Sequence, residues 1–489
     1  MMRWTVLFGL MVGALTASAE RLPNIVYILC DDLGYGEIQC LNPERGKVLT
    51  PHVDKLASQG MVFTDAHSGS SVCTPTRYGI MTGRYAWRTH LQKGVVQHDK
   101  DYGALIAEGR LTVPALLKKS GYHTAIIGKW HLVFSFVDDE GRRVKSEKNK
   151  KWNAGIPVGT KVKGSPITRG FDYYIGFHHS AIIETIVEND RVIAEKPTNE
   201  VLDFLGMNAV KYIGEQSKMD QPFFLYLPLN SPHTPIAPSD EWIGKSGMGD
   251  YCDFVMQTDH VVGKVLQALE DNGVADNTLV IFTSDNGCSA GPAKAKNLIK
   301  EYGHYPSAYL RGYKADGWEG GHRIPFIVRW PGKVKPGSTN PELICSTSLL
   351  ATCAELTGQA LTENEGEDSV SILPVLLGKN TAPTHDTVVH HTYTGKFSIR
   401  RGKWKLGLYP GSGGWTKPRD EGARKEGLPE VQLYNMEVDV GETTNLANQH
   451  PEVVEKLLAV LEKQVAAGRS TPGATQKNDA EIDLFKKDK

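Results

Sequence analysis

Four apolar runs in this sequence each end in residues that bind metal or move protons. Asn24–Leu29 (NIVYIL) leads to Asp31-Asp32, and Ala125–Ile127 leads to Lys129-Trp130-His131. Phe223–Leu227 leads to Asn230-Ser231-Pro232-His233, and Leu279–Phe282 leads to Ser284-Asp285-Asn286-Gly287. Asp31, Asp32, Asp285 and Asn286 offer hard oxygen ligands, a set suited to Ca2+ or Mg2+ rather than Zn2+. An Asp-Asp pair alone is commonly a turn or a cap; a second oxygen-bearing pair at a second strand end makes a divalent cation the better reading. Lys129 and His131 alternate on an extended segment, so both can point to one side. With His233 and Lys314 they supply ammonium groups to neutralise a tetrahedral anion and imidazoles to shuttle protons. Cys73 stands apart. In SVCTPTRYGIMTGR, residues 71–84, it lies in a turn flanked by Pro and Thr, four residues before Arg77, unlike a buried structural thiol.

These groups need a frame that gathers strand ends. Thr50-Pro51 opens a helix that Gly60 ends, and Thr112 caps a short helix, Val113–Lys119, closed by Gly121. A longer helix is expected over Phe254–Glu270, and Phe326–Arg329 is a further strand before Pro331-Gly332. Alternating strands and helices predict an α/β fold with a mostly parallel sheet covered on both faces. In such sheets ligands bind beyond the carboxyl ends of the strands, where the clusters above would meet. Beyond about Pro383 the texture changes. Phe397–Arg400, Trp404–Leu408 and Val431–Tyr434 read as antiparallel strands, and Pro451–Ala466 as an amphipathic helix. The expected organisation is a leader over 1–19, a catalytic domain over 20–383 and an α+β subdomain over 384–489. The charged tail Asn478–Lys489 is expected to be mobile.

Length and composition suit one large domain plus a smaller one: 489 residues, 40% hydrophobic and 23% charged. A formal net charge of -1 gives no global signal for nucleic acid or an anionic membrane. Arg3, the apolar stretch Trp4–Leu15 and Ala17-Ser18-Ala19 before Glu20 read as a secretory leader, too short to span a bilayer. The expectation is a secreted or periplasmic protein with no membrane anchor after cleavage. Seven cysteines then meet an oxidising compartment, and an odd count leaves at least one over.

Cys73-Thr74-Pro75-Thr76-Arg77 with Thr82-Gly83-Arg84 resembles the first signature of the type I sulfatases, C-x-P-x-R followed by T-G-R. Gly121-Tyr122-His123-Thr124 through Gly128-Lys129-Trp130-His131 resembles their second, G-Y-x-T-x-x-x-G-K-x-x-H. Asp31-Asp32, Ser231-Pro232-His233, Ser284-Asp285-Asn286-Gly287 and Lys314 fall in the family's order. The likeness runs from about Asn24 to Pro331, with Leu433-Tyr434-Asn435 to Asn445-Leu446 similar to the family's tail. It implies an alkaline-phosphatase-like fold. It implies an arylsulfatase-like sulfuric-ester hydrolase that removes sulfate from a sulfated carbohydrate. Cys73 would be oxidised to Cα-formylglycine by a formylglycine-generating enzyme. The aldehyde hydrate would then attack sulfur with one hydroxyl and release sulfate through the other.

The roles implied by the resemblance follow residue by residue. Asp31, Asp32, Asp285, Asn286 and modified Cys73 would hold Ca2+. Arg77 would hold the hydrate, Lys129 and Lys314 would clamp sulfate oxygens, His233 would protonate the leaving oxygen, and His131 would trigger sulfate elimination. Ser180 aligns with a family serine near this site. Thr74, where a small Ser or Ala is usual, is a mild departure. His304, Arg311, His322, His178 and His179 are candidates for the sugar subsite or for structural roles. The basic loop Arg142, Arg143, Lys145, Lys148, Lys150 and Lys151 reads as a solvated surface or as a face for a polyanionic glycan. A phosphodiesterase or phosphonate hydrolase of the same fold would show more His and Asp ligands. A non-catalytic glycan-binding protein would lack some of Cys73, Arg77, Lys129, His131, His233 and Lys314. A galactose- or GalNAc-type 6-sulfate is the expected substrate.

Overall fold

The computed structural model describes residues 21–96, 104–144, 155–379 and 383–486. The leader, and Lys145, Lys148, Lys150 and Lys151 of the basic loop, lie outside the described residues. Twelve strands form one sheet: β1 (Asn24–Cys30), β2 (Met61–His67), β3 (His123–Lys129), β4 (Ser135–Val137), β5 (Lys161–Lys163), β6 (Tyr173–Phe177), β7 (Thr185–Glu188), β8 (Arg191–Glu195), β9 (Phe223–Pro228), β10 (Thr278–Ser284), β11 (Phe326–Arg329) and β12 (Ser338–Cys345). The order across it is β12-β2-β11-β10-β1-β9-β3-β6-β7-β8-β5-β4. The five central strands, β10-β1-β9-β3-β6, are parallel. The flanks add antiparallel pairings, so the sheet is parallel at its centre rather than throughout.

The central strands are largely apolar on both faces, because both are covered. On β1, Ile25, Tyr27 and Leu29 enter one core, while Val26, Ile28 and Cys30 enter the other. Helices α1 (Pro51–Ser58), α4 (Val201–Gln216) and α5 (Asp250–Asp271) pack on the second face, and α2 (Cys73–Thr82) and α3 (Val113–Lys119) on the first. Thr112 caps α3 by accepting from the Ala115 amide. Thr50 makes no such bond. The Asp259 carboxylate from α5 takes the His52 and Val53 amides instead, at 3.1 and 2.8 Å. Among the described residues, no helix is long and apolar enough to cross a membrane. None of the seven cysteines is paired, and Cys40 alone is exposed.

A second sheet is antiparallel: β13 (Thr387–His391), β14 (Phe397–Arg401), β15 (Trp404–Gly407) and β16 (Gln432–Asn435). Val388, Ile399, Leu406 and Leu433 of this sheet share a core with Leu457 and Leu461 of the helix Pro451–Ala467. The tail was expected to be mobile, yet residues 478–486 are docked. Ile482 and Leu484 pack on the same core, Asp479 pairs with Arg84 at 3.0 Å, and the Lys486 ammonium donates to the Gln92 carbonyl. Two apolar side chains, one ion pair and one ammonium-to-carbonyl hydrogen bond outweigh the freedom that a charged composition suggests.

Gly128 shows how tightly the centre is built. Its φ is 136°, and a Cβ there would stand 2.0 Å from the Pro228 carbonyl oxygen on the neighbouring strand. Gly128→Ala is therefore expected to destabilise the protein by about 2–3 kcal/mol. Urea unfolding checks it; a cost within experimental error of zero would contradict the backbone contact.

Candidate active site

Parallel strands present their carboxyl ends along one edge. Cys30 stands opposite Ser284 and Lys129 opposite Phe177, so the segments that follow emerge side by side. β1 delivers Asp31 and Asp32, β10 Asp285 and Asn286, β3 Lys129 and His131, and β9 Ser231 and His233. The fifth, β6, delivers His178, His179 and Ser180. Cys73 does not lie in a turn as the sequence suggested; it is the first residue of α2. Pro75 fits there because the first-turn amides have no intrahelical partner. Thr76 Oγ1 lies 3.1 Å from the Ser70 and Val72 carbonyls and ties the helix start to the preceding segment. One turn on, Arg77 points to the same cluster.

The charges interlock. Lys129 Nζ lies 2.5 Å from Asp31 Oδ2, and Lys314 Nζ 2.5 Å from Asp32 Oδ1. Arg77 donates to Asp285 Oδ2 through Nε and Nη2, at 3.0 and 2.8 Å, and through Nη1 to the Lys129 carbonyl at 3.0 Å. Asn286 Nδ2 donates to Asp32 Oδ1 at 2.8 Å. All of these side chains are buried. Burial works against the Asp31 carboxylate, but His233, Lys129, Arg77 and Lys314 together hold it well below its usual range. At Asp285, burial and the nearby Asp31 charge win over Arg77 and push it up to about 7. Burial also pushes the Cys73 thiol up, against the pull of Lys129 and Lys314. An unmodified thiol in this setting is a poor nucleophile.

The donors fit a hard divalent cation. Asp31 Oδ1 and Asn286 Oδ1 are buried without a hydrogen-bond partner. Asp31, Cys73 and Asp285 each offer an atom within 4.8 Å of the others, as do Asp31, Asp32 and His233. Three carboxylates and a carboxamide are an all-oxygen set of the kind Ca2+ takes.

The imidazoles border this cluster. His233 Nε2 stands 3.7 Å from Asp32 Oδ2, and its Nδ1 lies 2.5 Å from the Thr234 carbonyl and 3.0 Å from Ser180 Oγ. Burial takes His233 down to about 4 despite Asp31 and Asp32. His131 adopts a left-handed backbone (φ 55°), and neither buried ring nitrogen has a hydrogen-bond partner. Burial, then Lys129, holds it well below the usual histidine range. The rings of His178 and His179 lie 6.4 and 5.9 Å away. Asn230 was not singled out from the sequence. It immediately precedes Ser231, and both polar atoms of its buried carboxamide have no partner. Its place in the cluster after β9 was the available signal.

Three sugar-subsite candidates are taken up by internal networks. His304 is fully buried between Glu37 Oε2 at 2.9 Å and the Lys47 amide at 3.0 Å. His322 is fully buried against His67 at 3.1 Å, stacked on His390 at 3.8 Å and 3.0 Å from Lys405 Nζ, joining the two sheets. Arg311 lies over the Trp318 ring at 3.7 Å and donates to the Glu442 carbonyl at 2.7 Å. These surroundings give His304 and His322 packing duties inside the fold, and hold the partly buried Arg311 against Trp318. In the basic loop, Arg142 pairs with Asp138 and Glu140 on the surface.

The family model described as Sulfatase matches residues 23–359. An N-acetylgalactosamine-6-O-sulfatase of Bacteroides thetaiotaomicron is 31% identical, over 91% of this chain and 93% of that protein. Human arylsulfatase A is 31% identical, over 95% and 91%. A solved structure from work on glycosaminoglycan metabolism by Bacteroides thetaiotaomicron aligns with a TM-score of 0.78 at 28% identity, covering 91% of this chain and 99% of that one. A crystal structure of a protein in complex with a neocarrahexaose aligns with a TM-score of 0.72 at 25% identity, covering 91% and 92%.

Proposed function

This chain belongs to the sulfatase family and is a sulfuric-ester hydrolase with an alkaline-phosphatase-like fold; from that premise we propose that it is an exported glycan sulfatase. In this reading it removes a 6-sulfate from a galactose- or N-acetylgalactosamine-type sugar, using Ca2+ and formylglycine made from Cys73 by a formylglycine-generating enzyme. The observation that carries it is the meeting of Cys73 with Asp31 and Asp285 within 4.8 Å, inside a ring of Arg77, Lys129, Lys314 and His233. The 6-sulfated galacto-type substrate draws support from the N-acetylgalactosamine-6-O-sulfatase relative. Export draws support from the leader pattern over residues 1–19.

Asp31, Asp32, Asp285 and Asn286 would hold the cation, which when bound supplies polarisation of a sulfate oxygen. Formylglycine at residue 73 supplies, as its hydrate, one hydroxyl for sulfur and a second for release. Arg77 fixes Asp285 and the Lys129 carbonyl, so the floor of the site is rigid. Lys129 and Lys314 place two ammonium groups for the sulfate oxygens. The Thr234 carbonyl accepts from His233 Nδ1–H, so Nε2 carries a proton for the departing sugar oxygen only in the imidazolium form, which the Asp31 and Asp32 charges favour against burial. His131, with two unpartnered ring nitrogens, accepts the proton that accompanies sulfate release.

The test is sulfate release from 6-sulfated galactose and N-acetylgalactosamine beside 4-sulfated and N-sulfated sugars, with a phosphodiester as control. Selective turnover of the 6-sulfates supports the reading; turnover of the phosphodiester alone overturns it. His233→Ala is expected to slow the sugar sulfate by about 10²–10³-fold. An activated aryl sulfate, whose leaving group needs no proton, should suffer far less. Equal loss on both substrates would remove His233 as the acid.

A further inference from the structure

An adjoining pair of aromatic side chains, Tyr393 and Trp415, is exposed beside the loop that carries Lys314. Tyr393 is 36% exposed and Trp415 42%. Their ring centroids are 5.0 Å apart, with the planes inclined at 55°. Among the described residues, Trp415 is the most exposed tryptophan. Burying such rings in a core is ordinarily favourable, so an exposed adjoining pair at the edge of a site marks a contact surface.

The pair is bound to the catalytic loop by main-chain contacts. The Tyr393 amide donates to the Ala315 carbonyl at 3.0 Å, and the Ala315 amide donates to the Ser71 carbonyl at 2.8 Å, two residues before Cys73. The buried Asp316 carboxylate accepts from the Trp415 and Thr416 amides at 2.9 and 3.0 Å through one oxygen. Its other oxygen accepts from the Tyr313 amide at 2.9 Å. Thr394 Oγ1 donates to the Gly413 carbonyl at 2.7 Å and ties the two aromatic segments together. Lys314, Tyr393 and Trp415 therefore form one unit.

We propose that Tyr393 and Trp415 form a stacking platform for the sugar ring that adjoins the sulfated one, so that the enzyme engages its substrate as part of an oligosaccharide. The proposal rests on the glycan-sulfatase reading above. A pyranose presents an apolar, C–H-bearing face to the negative face of an aromatic ring, while its hydroxyls stay in water. Two inclined rings give such a face a seat without requiring a deep pocket. The clamp on sulfate and the platform are then held at a fixed spacing by Asp316, which would select substrates by length as well as by sulfate.

The test compares a 6-sulfated N-acetylgalactosamine monosaccharide with a 6-sulfated chondroitin disaccharide, on the full mature enzyme and on Trp415→Ala and Trp415→Phe. Trp415→Ala should lower the disaccharide-to-monosaccharide ratio of kcat/KM by about tenfold, carried by KM, as expected when a buried contact face is lost. Trp415→Phe, which keeps a ring, should recover most of that ratio. Calorimetric titration of the disaccharide into Cys73→Ala and Cys73→Ala/Trp415→Ala proteins should show the same loss in affinity without turnover. An unchanged ratio, or equal loss on both sugars in a protein of unaltered melting temperature, overturns the platform alone. Absence of turnover of either sugar by the unmutated enzyme overturns the glycan reading, and the platform with it.

Discussion

Replacing Cys73 by alanine lowers sulfate release by roughly 10⁴-fold or more while the protein stays folded, as expected when a covalent nucleophile is lost. The side chain is small and only 2% of the residue is exposed, so the substitution deletes one sulfur from the first turn of α2. The cost in stability should be about 1 kcal/mol, that of a small core truncation. Arg77, Lys129, Lys314, Asp31 and Asp285 keep their mutual contacts in the variant, because none of those hydrogen bonds runs through Cys73. Loss of turnover with an almost unchanged melting curve therefore isolates the chemistry. Single-turnover sulfate release, followed beside circular dichroism, is the check. Activity retained within tenfold would mean that another group attacks sulfur.

Replacing Asp368 by alanine costs about 3–5 kcal/mol, because the Arg88 guanidinium is left buried without its counter-charge. The pair is bidentate: Arg88 Nε and Nη2 each reach an Asp368 oxygen at 2.8 Å, and both side chains are fully buried. The same carboxylate accepts the Tyr85 amide at 2.8 Å and the Ser470 amide at 3.0 Å. Arg88 Nη1 continues to the Gln464 carbonyl and Asn478 Oδ1, both at 3.1 Å, so the pair fastens the terminal helix and tail to the segment that follows α2. Burial opposes ionisation of Asp368, but Arg88 prevails and holds its carboxyl below the usual value. A carboxyl depressed on folding adds stability that is complete above its unfolded value of about 3.9 and is lost as pH falls through the folded one. The unmutated protein should thus lose stability in acid below about pH 4, and the Asp368→Ala protein should lose less over that interval. Urea unfolding at several pH values measures both. A cost under about 1 kcal/mol would show that Arg88 is satisfied by its other partners.

Much of the frame was legible because burial on both faces writes itself as unbroken apolar runs. Asn24–Leu29, Phe223–Leu227 and Leu279–Phe282 lie within β1, β9 and β10. The helix expected over Phe254–Glu270 begins at Asp250. Its first turn was missed because Asp250, Tyr251 and Asp253 carry no apolar period, and the Asp253 carboxylate binds loop amides instead. The antiparallel flanks were missed for a related reason. Arg191–Glu195 and Lys161–Lys163 carry charges that read as loop, and β8 shows a sheet's wet face in its alternating exposure.

Within the site, the clustering of Asp, Lys and His after strands was legible as composition, but partner choice was not. His304 and His322 have the same side chain as His233, and the sequence does not distinguish a ring held by Glu37 or stacked on His390 from one facing substrate. Cys73 read as a turn residue because Pro75 and two threonines suppress a helical pattern, whereas a first turn tolerates all three. The docked tail was hidden because Ile482 and Leu484 are two apolar residues among many charges.

The central claim is that Cys73 is the precursor of the nucleophile. Peptide mass spectrometry of the tryptic fragment Leu56–Arg77, from protein produced with a formylglycine-generating enzyme, tests it most directly. The account predicts a mass about 18 Da below that of the unmodified peptide, since the thiol and one hydrogen give way to a carbonyl oxygen. An unshifted peptide, under conditions where a control sulfatase is converted, would contradict it.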